Sequence, residues 1–227
     1  MQRTTVIAIV SGLLAVAAPL PSYASGFEAR VGAFVPRANS DLFQDAQELY
    51  GLKKSDWVGV YGGVEYNASL GGHVELGIGL DGYTRSNDTS YVRYTRPNDT
   101  EIEQTSELTV VPLSVSLKLI ANPRRGAFTP YALAGVDAYF YDYKAFGDFI
   151  DFQLTNRPIS YDEFESTGVA PGFHVGGGLR VPVGDDLSIT GEARYHFAKE
   201  VQMNDDFRAN RLNVSGLAVT VGVHLRF

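Results

Sequence analysis

The sequence predicts an all-β fold, an eight-stranded antiparallel up-and-down transmembrane β-barrel. Three observations point there. Eight segments alternate apolar residues with polar or small ones, at the period of two by which a strand sorts side chains between its faces. Their polar parity carries charges of both signs and many of the 24 glycines, while the apolar parity runs unbroken. The links between segments alternate short and long. A water-soluble barrel would be apolar inside and polar outside. Here charges on the polar parity can pair across a narrow lumen and the apolar parity can meet lipid, and closure satisfies every backbone group in hydrocarbon.

The 227 residues suit one barrel with no second domain. Residues 1–24 read as a cleaved signal peptide: Arg3 supplies the positive end, Val6 to Leu20 the apolar run, and Ser22, Tyr23 and Ala24 the small-x-small cleavage site. The run is short for a spanning helix and lacks a stop-transfer flank. The barrel is then expected over residues 25–227. Removal of the leader takes away one base and no acid, moving the formal charge from −7 to −8. So acidic an exported chain is not expected to bind nucleic acid, whose phosphates call for a basic surface. With no cysteine, disulfides and thiol chemistry are excluded.

The first segment sets Ala29, Val31, Ala33 and Val35 against Glu28, Arg30 and Gly32. The second sets Val58, Val60, Val64 and Tyr66 against Gly59, Tyr61, Gly63 and Glu65. The third opposes Val74, Leu76, Ile78 and Leu80 to His73, Glu75, Gly77, Gly79 and Asp81. In the fourth, alternate residues from Thr109 to Leu119 oppose Ser114, Ser116 and Lys118, although Leu108 and Val110 share the polar parity. The fifth places Ala132, Ala134, Val136, Ala138 and Phe140 opposite Tyr131, Gly135, Asp137 and Tyr139, with Leu133 on the polar parity.

In the sixth, Phe173, Val175, Leu179 and Val181 face away from His174, Gly176, Gly178 and Arg180. The seventh separates Leu187, Ile189, Ala193 and Tyr195 from Ser188, Thr190, Glu192, Arg194 and His196. The eighth alternates from Gly216 to the end: Leu217, Val219, Val221, Val223, Leu225 and Phe227 on one face, and Ala218, Thr220, Gly222, His224 and Arg226 on the other.

Short links fall near Leu70 to Gly72, Ala121 to Ala127 and Pro182 to Asp185; long ones span Pro36 to Ser55, Arg85 to Ser106, Asp142 to Thr167 and Ala198 to Arg211. Short periplasmic turns opposite long extracellular loops fit a membrane barrel, and an even strand number puts both termini in the periplasm. Within the first loop, Ser40 to Leu52 predicts a short helix, capped at Ser40 or Asp41 and stopped by Gly51. Tyr139, Tyr141, Tyr143 and Phe146, with Trp57 and Tyr83, are expected in the outer aromatic girdle.

On these residues the chain resembles the small eight-stranded bacterial outer-membrane proteins of the OmpX, OmpA-barrel and OmpW kinds. The opening run Phe27 to Pro36 (FEARVGAFVP), followed by a polar, helix-like loop, is most similar to the OmpW kind, and an apolar C-terminal strand ending in an aromatic is shared by all. The resemblance implies an outer-membrane location, no cofactor, and Val223, Leu225 and Phe227 as the insertion signal read by the barrel-assembly machinery. Outer-membrane lipid and lipopolysaccharide are the other expected partners, and a closed barrel is complete as a monomer.

The main site constellation is a lumen charge network of Glu28, Arg30, Glu65, Glu75, Lys118, Arg180, Glu192, Arg194, His224 and Arg226. Arg30 with Glu65 and Arg226 with Glu28 are the expected pairs. The network reads either as packing in place of an apolar core or as a gate. The four histidines share the inward parity on four strands, at different heights and without ligand spacing, so no metal is expected. Asp142, Asp148, Asp151, Asp162, Glu163 and Glu165 make the third loop acidic without a calcium-loop pattern. A non-enzymatic barrel presenting surface loops is therefore expected. The alternatives are a narrow channel for small or hydrophobic solutes, as the OmpW resemblance implies, and a lipid A-modifying enzyme built around His196, which lacks a serine two residues away.

Overall fold

A computed structural model describes residues 25–121, 128–152, 158–207 and 210–227. The expected leader and most of the turn after Ala121 lie outside the described residues. Strands β1 (Gly26–Pro36), β2 (Gly59–Gly71), β3 (Val74–Thr95), β4 (Glu101–Ile120), β5 (Thr129–Ile150), β6 (Ile159–Pro182), β7 (Leu187–Ala198) and β10 (Gly216–Arg226) form one closed barrel. Each pairs antiparallel with its chain neighbour, and the ring shuts where β1 meets β10, with Val31 opposite Val221. A two-residue ladder, β8 (Val201–Gln202) with β9 (Arg211–Leu212), lies in the last long link.

The faces divide as the alternation predicts. Val31, Val64, Ile78, Val115, Val136, Val175, Ile189 and Val221 stand outward with 41–64% of their surface exposed, whereas Glu28, Glu65 and Lys118 inside show 0%. This inverts the usual arrangement of apolar core and charged surface. It is what a barrel wall in hydrocarbon requires.

Two of the expected long loops are not loops. β3 and β4 continue as a paired hairpin through Ser90 and Glu103, so the Arg85 to Ser106 stretch is mostly strand and only residues 96–100 connect. β5 and β6 likewise pair to Ile150 and Ile159, absorbing most of Asp142 to Thr167. Beyond the lipid the outer face is polar and the buried inner face mixes Gln104 and Ser106 with Tyr91, Ile102 and Ile150, so the two-faced hydropathy signal fades while the backbone ladder persists. Polar cross-strand contacts join the strands on the outer face there: Thr84 with Thr109 at 3.2 Å, Asp88 accepting from Thr105 at 2.7 Å, and Lys144 with Glu165 at 3.5 Å.

The first loop carries helix α1 (Asp41–Tyr50), as the capping pattern predicts, and Gly51 ends it in the left-handed conformation at φ 69°. The Ser40 hydroxyl accepts from Asn213 N at 3.2 Å instead of capping the helix, which ties α1 to the strand returning to β10.

Candidate functional site

The lumen is filled in layers. Each is built by the period of two, which delivers one inward side chain from every strand at a given height. Nearest the short-turn end, Arg180 makes a two-pronged pair with Glu75 at 3.0 and 3.1 Å. Above it lies the densest layer. Arg30 donates to both oxygens of Asp81 at 2.9 and 2.6 Å and to Glu65 at 3.1 Å. Arg194 reaches Glu65 at 3.2 Å and Glu192 at 2.8 Å. Lys118 contacts Glu65 closely and lies 3.5 Å from Glu28. Tyr131 and Thr190 donate to Glu192 and Glu28 at 3.0 and 3.1 Å.

Three cations therefore face four carboxylates within one ring, supplied by five strands, and all are buried. Glycine makes this possible: a Cβ at Gly77 would lie 2.9 Å from Glu65 Oε1, and one at Gly135 would lie 2.5 Å from His174 Cε1.

One turn of the pleat higher, Asp137, His174 and His196 present one possible metal-ligand atom each, all within 4.8 Å of one another. His174 and His196 face each other across the β6–β7 register, so the expectation that the histidines stand at different heights is corrected. Strand stagger aligns residues far apart in sequence. Every ring nitrogen already has a polar neighbour. His174 Nδ1 meets Asp137 at 2.9 Å and Nε2 meets Ser116 at 3.0 Å; His196 Nδ1 meets Tyr139 at 3.0 Å and Nε2 meets Tyr61 at 3.3 Å. A metal would have to displace these partners. The cluster as it stands is a hydrogen-bonded layer.

The third layer is aromatic. Trp57, Tyr83, Tyr139, Tyr141 and Tyr143 are 1–6% exposed and lie inside the barrel and its mouth. The expectation that they form the outer girdle is corrected, since all four tyrosines keep the inward parity of their strands. Phe34 joins them, 5.1 Å from Tyr83 between ring centroids. α1 closes the mouth with Leu42, Phe43 and Ala46. Phe43 packs edge-on to Trp57 at 5.1 Å, and Tyr83 donates to Trp57 O at 2.5 Å. Arg211 holds the helix from outside at 3.1 Å from Asp41, and this bond keeps the Asp41 carboxyl below its ordinary pKa.

Of the ten residues of the expected network, Arg30, Glu65, Glu28, Lys118, Glu192 and Arg194 meet in one layer, and Glu75 with Arg180 form a second. His224 is buried opposite Glu28 in the β1–β10 register. Arg226 departs from expectation. It sits at the exposed strand end and donates to Asp185 O at 3.0 Å, too far along β10 to reach Glu28. His73 also departs, being exposed in the β2–β3 turn. Asp81 and Asp137 were missed, although their inward parity among glycines is the signal that could have found them. Val223, Leu225 and Phe227 stand on the exposed apolar face.

The third-link acids are divided. Asp148 pairs with Arg96, Asp142 and Glu165 flank Lys144, and Asp162 accepts from Ser160 at 2.6 Å.

The family model described as outer membrane protein beta-barrel domain matches residues 7–227. No curated protein sequence matches the chain. Among solved structures, OprG from Pseudomonas aeruginosa superposes with a TM-score of 0.55 at 11% identity, over 89% of this chain and 95% of that one. A major outer membrane protein from Thermus thermophilus gives 0.53 at 13% identity, over 90% and 100%. Neisserial surface protein A gives 0.51 at 13% identity, over 91% and 98%. At such identities the likeness is one of fold.

Proposed function

The chain belongs to the outer membrane protein β-barrel family, and on that premise we propose that it is a non-enzymatic bacterial outer-membrane protein with a closed lumen, whose working face is the lobe at its long-loop end. The termini are then periplasmic. The belt of outward valines and isoleucines meets lipid, the lobe meets lipopolysaccharide, and Val223, Leu225 and Phe227 address the chain to the assembly machinery. The protein works as a monomer, because closure leaves no sheet edge to pair.

The observation that carries this reading is the stack of layers filling the lumen: ion pairs, then the Asp137–His174–His196 cluster, then aromatics under α1. A path for solute would have to break paired charges buried at 0–5% exposure. A lipid A-modifying site is disfavoured because His196 faces Tyr61 and Tyr139 inside the wall and not the lipid, and His174 with Asp137 and Ser116 is likewise buried in the lumen.

Single-channel recording of the refolded protein in a planar bilayer tests the proposal. A stably inserted, silent barrel is expected. Discrete openings would overturn it, promote the narrow channel, and make Arg30 and Glu65 the gate.

A further inference from the structure

Above the aromatic layer the lobe holds a cleft of about 410 Å³ between α1, the upper parts of β3, β4, β5 and β6, and the segment around Phe207. One wall is a run of rings in edge-to-face contact: Tyr143 to Phe207 at 5.1 Å, Phe207 to Phe164 at 6.3 Å, and Phe164 to Phe149 at 5.0 Å. Half-buried aromatic surface lining a cleft takes up apolar matter, and the ring faces attract cations.

Two further features of the cleft point to a charged donor. Gln104 lines it at 3% exposure, with Oε1 buried and without a hydrogen-bond partner. An orphaned amide oxygen at the base of a cleft calls for a donor brought by a ligand. The rim is acidic: Asp45, Asp162 and Asp206 line the same cleft. They accept from the neutral groups of Asn210 at 2.6 Å, Ser160 at 2.6 Å and Asn204 at 3.1 Å. Among the described residues no lysine or arginine lines the cleft.

We propose that this cleft binds an organic ammonium ion, a primary amine carried on a short apolar or aromatic body. The apolar body lies along the Tyr143–Phe207–Phe164 rings, an N–H of the ammonium reaches Gln104 Oε1, and the rim carboxylates compensate the charge. A neutral apolar solute would leave Gln104 unanswered and the negative charge of the rim uncompensated. A bare divalent ion would make no use of the rings. The proposal rests on the reading of this lobe as the working face and names the ligand class it takes.

The test uses the full mature barrel in phosphatidylcholine vesicles, titrated calorimetrically with 2-phenylethylammonium, and with 2-phenylethanol and calcium chloride as comparators. Saturable binding of the ammonium is expected, with the alcohol weaker by about tenfold or more, the difference one charge-assisted hydrogen bond makes. Gln104→Leu should weaken the ammonium by about the same factor and the alcohol, a neutral donor, by less. Gln104→Glu should tighten it, which keeps the idea testable if the leucine variant does not fold.

Equal binding of alcohol and ammonium would overturn the proposal in favour of an apolar trap. Calcium binding that excludes the amine irrespective of its ring would overturn it in favour of a divalent site. No saturable binding to a folded, electrically silent barrel would sink the amine site and leave the closed-barrel reading intact. Amine binding to a conducting barrel would do the reverse.

Discussion

Lys118 has no exposed surface, yet its ammonium stands among the carboxylates of Glu28, Glu65 and Glu192. A buried charge costs several kcal/mol unless it is paired, so the stability of this layer depends on its partners being present together. Lys118→Met should therefore destabilise the barrel by about 3–5 kcal/mol, because Glu28 and Glu65 lose their shared cation. Adding Glu28→Gln should restore part of the loss; urea unfolding in vesicles, followed by gel mobility, reads both. Neighbouring residues on β10 separate the two faces. Val221 is 62% exposed and Thr220 is 5% exposed. Val221→Arg places a charge in mid-bilayer at about 2–4 kcal/mol and should block or weaken insertion. Thr220→Arg should instead act by crowding Glu192, its cross-strand partner. Insertion of Val221→Arg at the parent's yield would reverse the facing assignment.

Among the elements, α1 is short and held mainly by what it covers. Its buried residues lie over the aromatic layer, and Arg211, Asn210 and Asn213 tie it to the last long link. Trp57 is the protein's only tryptophan and sits under Phe43, so its fluorescence reports the cap. Replacing Ser40 to Gly51 by a short glycine-serine linker should shift that emission to the red while the barrel stays inserted. The Asp41–Arg211 bond adds a pH dependence. A carboxyl whose folded pKa is lowered contributes above its unfolded value, about 4, and the contribution is lost as pH falls through the lower folded value. Hydrogen exchange at the α1 amides should then be equally slow at pH 7 and pH 5, apart from the intrinsic rate, and lose protection only below about pH 4. The hairpins β3–β4 and β5–β6 carry the lobe beyond the lipid by backbone pairing, with Tyr91, Ile102 and Ile150 packed between them, which makes it a stiff platform.

For the whole molecule, the layers act in series. The linker variant lacking α1 should remain silent in a planar bilayer, because the Arg30–Glu65–Lys118–Arg194 layer still fills the lumen beneath. Conductance on removal of α1 alone would mean that the helix is the gate and that the ionic layer passes ions.

What the sequence determined by itself was the barrel: eight two-faced segments, the parity that meets lipid, the helix between Ser40 and Gly51, and, His73 and Arg226 apart, the charged and histidine residues that face inward. Periodicity is local, so it can be read along the chain. Which inward residues meet was decided only by the tertiary structure. Closure and strand stagger set the heights, placing Asp81 on Arg30 and His174 opposite His196 while leaving Arg226 at the rim. The tyrosines expected at the lipid boundary were placed inside in the same way, since parity, and not aromatic character, fixes the side a strand residue takes. The long hairpins were hidden because their outer face is polar and their buried face mixes Gln104 and Ser106 with a few apolar residues, so no clean alternation marks them. The Gln104 cleft was hidden because its walls come from α1, four strands and the last long link, which only the folded ring brings together.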